Sequence, residues 1–96
     1  MADLRAGDNY TNIAGAATTA VKASPGNLKR IVCNKAVLSG VITIYDNTAA
    51  SGTKIATITH PGTLLQNQYY LEFNVRFSTG LTVVTSAADD ITVVWN

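Results

Sequence analysis

The sequence predicts an all-β domain: a small antiparallel β-sandwich or barrel of about seven short strands with an extended N-terminal arm. Three observations predict this class. The 96 residues suffice for one domain only. β-Branched residues recur in short runs that turn-forming residues separate. Straight-chain helix formers are scarce, with a single glutamate at Glu72. We therefore assign residues 1–16 to the arm and residues 17–96 to a single β domain.

The predicted arm follows neither the two-residue period of a strand nor the 3.6-residue period of a helix. Its apolar anchors are Leu4, Tyr10 and Ile13. We predict that this segment is extended, and that it becomes ordered on a partner through these three side chains.

Seven runs of the remaining chain have the composition and length of strands. They cover residues 18–23, 28–35, 41–45, 53–59, 69–77, 81–85 and 91–95. Turn residues join the third and fourth runs, which predicts a β-hairpin. Pro25 and Gly26 occupy the two central positions of a predicted type II turn. The run from Tyr69 to Phe77 alternates most cleanly, with its odd-numbered apolar residues on one face.

Charged residues are few, which limits the kinds of partner that the protein can bind. Charged residues make up 14% of the chain and the formal net charge is +1. A surface of Thr, Asn, Ser and Ala costs little to desolvate and suits burial against a partner, although an ordinary β domain has the same composition. The basic residues are scattered, so we predict no nucleic-acid partner. The sequence shows neither a signal peptide nor a long apolar stretch, which predicts no membrane segment and synthesis in the cytoplasm.

Candidate catalytic and metal-binding residues are few. His60, the only imidazole, precedes a proline, and a turn residue explains it better than a general base or a metal ligand. Cys33 is the only cysteine, which excludes an intramolecular disulfide, and it fits a strand as a small apolar residue. Asp46, Asp89 and Asp90 fall in predicted turns, where aspartate bonds nearby backbone, without the spacing of a calcium loop. We predict no enzyme, no cofactor and no metal site.

Three segments carry a resemblance to a known class of protein. Residues 18–31 read TTAVKASPGNLKRI, residues 41–58 read VITIYDNTAASGTKIATI, and residues 77–84 read FSTGLTVV. Over residues 17–96 the chain resembles small β-rich structural proteins of tailed bacteriophages and prophages. The resemblance implies a virion component that is made in the cytoplasm of the bacterial host.

Within that class, the resemblance favours a head decoration, or cement, protein. Such a protein lies on the outside of the capsid as a homo-oligomer, with a trimer favoured over a dimer, and ties neighbouring copies of the major capsid protein together. We predict that the arm adds a strand to an edge of a capsid sheet, anchored by Leu4, Tyr10 and Ile13. The lattice then multiplies a modest contact by avidity.

The alternative is a tail-fibre or head-fibre module that adheres to host-surface glycans. It predicts an exposed patch of aromatic and amide side chains at Asn67, Gln68, Tyr69 and Tyr70. Neighbouring side chains of a strand point to opposite faces, so the two tyrosines cannot share one surface. One of them belongs to the core or an interface, and the other to the rim.

Overall fold

Eight antiparallel strands make up the described part of the protein. A computed structural model describes residues 8–62 and 68–96. The strands are β1 (Asn9–Ala14), β2 (Ala17–Lys22), β3 (Gly26–Lys35), β4 (Val41–Tyr45), β5 (Lys54–Thr59), β6 (Tyr69–Phe77), β7 (Leu81–Thr85) and β8 (Asp90–Trp95). All seven predicted strands are present, with their bounds within two residues of the prediction.

The strands form two four-stranded sheets that pack into a sandwich. Sheet A has the order β1-β8-β3-β6, and sheet B has the order β2-β7-β4-β5. The chain pairs like one long hairpin that has been rolled up: β1 with β8, β2 with β7, β3 with β6 and β4 with β5. This wrapping is the jelly-roll topology. It confirms the predicted antiparallel class and selects a sandwich over a barrel.

The first strand lies in the segment that we assigned to the arm. β1 pairs with β8 over six residues, and Ile13 lies opposite Ile91 in that register. The chain then crosses from sheet A to sheet B at Gly15, whose φ of 103° favours glycine. Residues 9–14 therefore belong to the sandwich, which corrects the boundary at residue 16. Residues 1–7 of the predicted arm lie outside the described residues.

Apolar side chains from both sheets meet in a single core. The buried apolar residues are Ile13, Leu28, Ile31, Cys33, Ala36, Ile42, Ile44, Phe77, Leu81, Val83, Ile91 and Val93. β6 shows the predicted alternation, since its even-numbered side chains are exposed and Phe77 is fully buried. Its other odd-numbered side chains are only half-buried, because β6 forms an edge of sheet A.

The predicted type II turn is wrong, although its glycine has a clear role. A type II turn needs a positive φ at Gly26, and among the described glycines only Gly15 and Gly52 have one. Gly26 instead begins β3, where a Cβ would overlap the carbonyl oxygen of Asn96. The backbones of Asn27 and Asn96 exchange two hydrogen bonds of 2.9 Å at this point. The close approach of that strand, and not a turn, requires glycine.

One carboxylate ties two loops of the sandwich together. Asp46, at the end of β4, accepts hydrogen bonds from the backbone N–H groups of Ser78 (2.9 Å), Thr79 (2.8 Å) and Gly80 (3.4 Å). These bonds favour the ionised carboxylate, so the bonds from Ser78 and Thr79 in particular lower its pKa below the usual value of 3.8. Aspartate here stabilises a turn 32 residues away rather than its own.

We expect Asp46 to make the fold acid-sensitive. Because the folded pKa is lower than the unfolded one, its stabilisation is present at neutral pH and is lost as the pH falls below about 4. Replacing Asp46 with alanine should lower the free energy of unfolding by about 1–2 kcal/mol at pH 7, as the loss of a helix cap does. The difference from the original protein should shrink at pH 3. Urea unfolding at both pH values measures this, and an equal difference at both would contradict it.

Candidate functional site

The outer surface of sheet A carries two exposed tyrosines. Tyr10 on β1 is 73% exposed and Tyr70 on β6 is 63% exposed. We call this surface the tyrosine face, and it consists of Tyr10, Asn12, Arg30, Val32, Asn34, Tyr70, Glu72, Asp90, Thr92 and Val94. The register places Tyr10 beside Val94, and it places Tyr70 beside Val32. The two tyrosines therefore flank a floor of half-buried valines.

A row of polar side chains crosses the same face. The Nδ2 group of Asn12 donates to Asp90 Oδ1 at 2.8 Å and to the carbonyl of Ile91 at 2.9 Å. The Nδ2 group of Asn34 donates to Thr92 Oγ1 at 3.1 Å and to Asp90 Oδ1 at 3.3 Å. The two amides approach β8 from opposite sides, because β8 lies between β1 and β3. These bonds fix the orientation of both amides against β8.

An open groove runs beside Tyr70. Its volume is about 390 Å³, and it is lined by Val32, Cys33, Asn34, Gln68, Tyr69 and Tyr70. This volume lies within the range of about 300–1,000 Å³ that small-molecule sites occupy. The groove therefore extends the tyrosine face at one end of β3 and β6.

Two of the three charged side chains of the tyrosine face pair with each other, and Asp90 is the third. Arg30 Nε donates to Glu72 Oε1 at 2.8 Å across the β3–β6 pair. The bond to Glu72 raises the pKa of Arg30 above its ordinary value, so the guanidinium stays charged and paired. Both side chains are partly exposed, and such pairs contribute little to stability. Their effect is to neutralise the row in which Tyr10 and Val94 also lie.

The outer surface of sheet B has a different character. We call it the threonine face, and its members are Thr18, Ala20, Val41, Thr43, Thr57, Thr59 and Val84. Thr18, Val84, Thr43 and Thr57 stand side by side in one register row that crosses all four strands. All seven side chains are uncharged, and six of them are threonines or valines that lie directly opposite one another. These seven residues form a neutral and mildly apolar surface, and Lys54, opposite Tyr45, lies one row beyond Thr57.

A histidine and an aspartate, two of the residue types that a thiol active site uses, lie buried at one end of the sandwich. Asp89 is fully buried and accepts a hydrogen bond of 2.6 Å from the backbone N–H of Val37. His60 is 2% exposed, and its Nδ1 atom lies 3.5 Å from Asp89 Oδ1 and 3.2 Å from the carbonyl of Val37. The cluster joins the β3–β4, β5–β6 and β7–β8 connections. The interpretation of Asp89 as a residue that bonds its own turn is therefore wrong.

Cys33 does not pair with that histidine. Burial, with a smaller contribution from the nearby Asp89, raises the pKa of the thiol, which disfavours the reactive thiolate. Burial likewise raises the pKa of Tyr69 to about 12. The ring of Tyr69 contacts His60 edge to face, with ring centres 5.8 Å apart. Cys33 is packed as a core residue, as its position in a strand predicts. Among the described residues there is no group of three or more histidine, cysteine or acidic side chains that could hold a metal ion.

The residues predicted as partner anchors are separated by the fold. Ile13 is 4% exposed and packs in the core, so it cannot anchor a partner. Tyr10 points outward from the same strand, and Leu4 lies outside the described residues. Of the predicted glycan patch, Tyr70 is exposed, Tyr69 packs against the core, and Gln68 lines the groove.

Asn67, the remaining member of that patch, lies outside the described residues. The sequence reasoning missed Asn12, Asn34 and Thr92, because polar residues on a strand carry no signal of the strands beside them. Only the pairing of β8 with both β1 and β3 brings them together.

Comparison with known proteins gives no match. No protein-family model, no curated protein and no solved structure is similar to the chain. Within residues 8–62 and 68–96 there is no helix long and apolar enough to cross a membrane.

Proposed function

We propose that this chain is a virion structural protein of a tailed bacteriophage, a capsid decoration protein that binds the major capsid protein through its threonine face. The observation that carries the proposal is the neutral row Thr18, Val84, Thr43 and Thr57, which crosses all of sheet B. The resemblance of the sequence to phage structural proteins suggests the class of protein. The threonine face is the surface that we assign to the contact with the capsid.

The chemistry of the threonine face suits a protein partner. Threonine and valine present methyl groups, and their burial releases water without stripping a charge of its hydration. Threonine hydroxyls can donate to and accept from the main chain of a partner at the same time. Interfaces are depleted of charge at their centre, as this face is.

The size of the face explains why a lattice is needed. Four strands about 4.8 Å apart and roughly five residues in length cover about 300 Å². A stable interface buries about 800 Å² on each partner, so a single copy would bind weakly. A homo-oligomer, for which we favour a trimer, would engage several capsid subunits at once and gain affinity through effective concentration.

Co-sedimentation with capsids that lack the protein tests the proposal. We expect saturable binding at a fixed ratio to the major capsid protein, and an oligomeric mass in solution by light scattering. The double variant Thr43→Lys and Thr57→Lys should bind at least tenfold more weakly, because two lysines would lose their hydration without a partner charge. Both positions are on the solvent side of sheet B, so the fold should be retained.

The matched control places the same two charges on the opposite sheet. Asn12→Lys and Tyr70→Lys should leave capsid binding within about twofold, since both side chains lie on the tyrosine face. Loss of binding in this control alone would show that the wrong face was chosen. Absence of any capsid binding by the original protein would refute decoration altogether.

A further inference from the structure

The tyrosine face has the features of a binding site, and its ligand would be a molecule other than the capsid protein. Tyr10 and Tyr70 are both largely exposed to water. They lie on β1 and β6, which are three strand spacings apart, and their rows differ by two residues. The strand spacing and rise place their Cα atoms about 16 Å apart. Two flat rings at that separation can contact the two ends of one elongated ligand.

The polar row runs beside the two rings, from Asn12 in the register row of Tyr70 to Asp90 one row further on, and it offers mainly acceptors. Each asparagine uses its Nδ2 group to donate to Asp90 or Thr92, as described above. Within the described part of the chain, this leaves the Oδ1 atoms of Asn12 and Asn34 and the Oδ2 atom of Asp90 without a donor. A ligand that covers this row must therefore bring several donors, because a covered acceptor without a hydrogen bond is costly.

The remaining floor is apolar and electrically balanced. Val32 and Val94 lie between the two rings, and the groove of about 390 Å³ continues the floor past Tyr70. Arg30, the cation of this row, is held by Glu72 at 2.8 Å. A phosphate, sulfate or carboxylate would have to compete with Glu72 for it. A neutral ligand meets no such competition.

We infer that the tyrosine face binds a neutral saccharide chain. Sugar rings present apolar C–H faces that stack on aromatic side chains, and they carry hydroxyl groups that donate to amide and carboxylate oxygens. Tyr70 and Tyr10 serve as the two stacking platforms. Asn12, Asp90 and Asn34 accept from the hydroxyls along one side of the saccharide. This inference does not rest on capsid docking. The two faces belong to opposite sheets, so a copy bound through its threonine face would present this site outward.

Affinity electrophoresis in native gels that contain dextran, mannan or starch tests the inference, together with an array of neutral and acidic oligosaccharides. We expect the protein to be retarded by at least one neutral polysaccharide. Tyr70→Ala should weaken that retardation at least tenfold, whereas Tyr70→Phe, which keeps the ring, should stay within about twofold. Tyr10→Ala should weaken it severalfold, because this ring contacts the far end of the chain.

Two further variants keep the result interpretable. Asn34→Leu removes an acceptor without touching either ring and should also weaken binding. Tyr45→Ala removes a half-buried tyrosine of sheet B and should leave binding unchanged, provided that thermal melting shows it to be folded. Binding that survives both Tyr70→Ala and Tyr10→Ala would overturn the site, and binding to acidic saccharides alone would overturn the ligand class. No retardation and no array signal, with capsid binding lost in Tyr70→Ala, would identify the face as a protein interface instead.

Discussion

Replacing Ile13 with alanine should lower the free energy of unfolding by about 2–5 kcal/mol, which is the usual cost of removing a buried isoleucine side chain beyond its β carbon. Ile13 is 4% exposed and lies opposite Ile91 in the β1–β8 pair. A domain of this size has a total stability of about 5–15 kcal/mol, so the change is a large fraction of the whole. Urea unfolding followed by tryptophan fluorescence measures it, since Trp95 lies on β8 beside β1.

The control is the neighbouring residue on the same strand. Asn12 points outward, so Asn12→Ala should cost no more than about 1 kcal/mol. Equal losses for Ile13→Ala and Asn12→Ala would mean that β1 is not part of the folded sandwich, and that the original assignment of residues 1–16 to an arm was correct. By the same reasoning, deleting residues 2–16 should unfold the domain. Loss of capsid binding in that deletion would therefore not show that residues 1–16 form a binding arm.

The strands could be predicted because their signal is local. β6 alternates over nine residues, and β4 is a continuous β-branched run followed by turn residues, so both could be located without their neighbours. β1 was missed because its sequence, NYTNIA, has a single buried side chain, and its other residues are those of an ordinary loop. What makes it a strand is its partner β8, which lies almost at the other end of the chain.

The two candidate surfaces could not be predicted for the same reason. Tyr10 and Tyr70 are separated by 60 residues of sequence, and they share a face only because sheet A has the order β1-β8-β3-β6. The sequence did indicate that Tyr69 and Tyr70 face opposite ways, since that follows from the geometry of one strand. Strand order depends on contacts distant in sequence, and no pattern within a single strand specifies it.

Replacing Asp89 with alanine should lower the free energy of unfolding by about 3–5 kcal/mol. The substitution would leave the partly buried N–H of Val37 without its 2.6 Å acceptor and would remove the neighbour of His60 Nδ1. His60 also donates its backbone N–H to the carbonyl of Gly40 at 2.8 Å, so the cluster holds the β3–β4 connection against the rest of the sandwich. Thermal unfolding should show a drop of at least about 10 °C.

The adjacent carboxylate provides a matched control for this last change. Asp90 is half-buried on the tyrosine face, where Asn12 and Asn34 donate to it, so Asp90→Ala should cost only about 1 kcal/mol. Asp89→Asn keeps the Oδ1 acceptor for the N–H of Val37. We therefore expect it to recover most of the loss. If Asp89→Ala were as mild as Asp90→Ala, the buried cluster would not be what fixes the β3–β4 connection. If Asp89→Asn were as severe as Asp89→Ala, the negative charge, and not the acceptor, would be what the cluster needs.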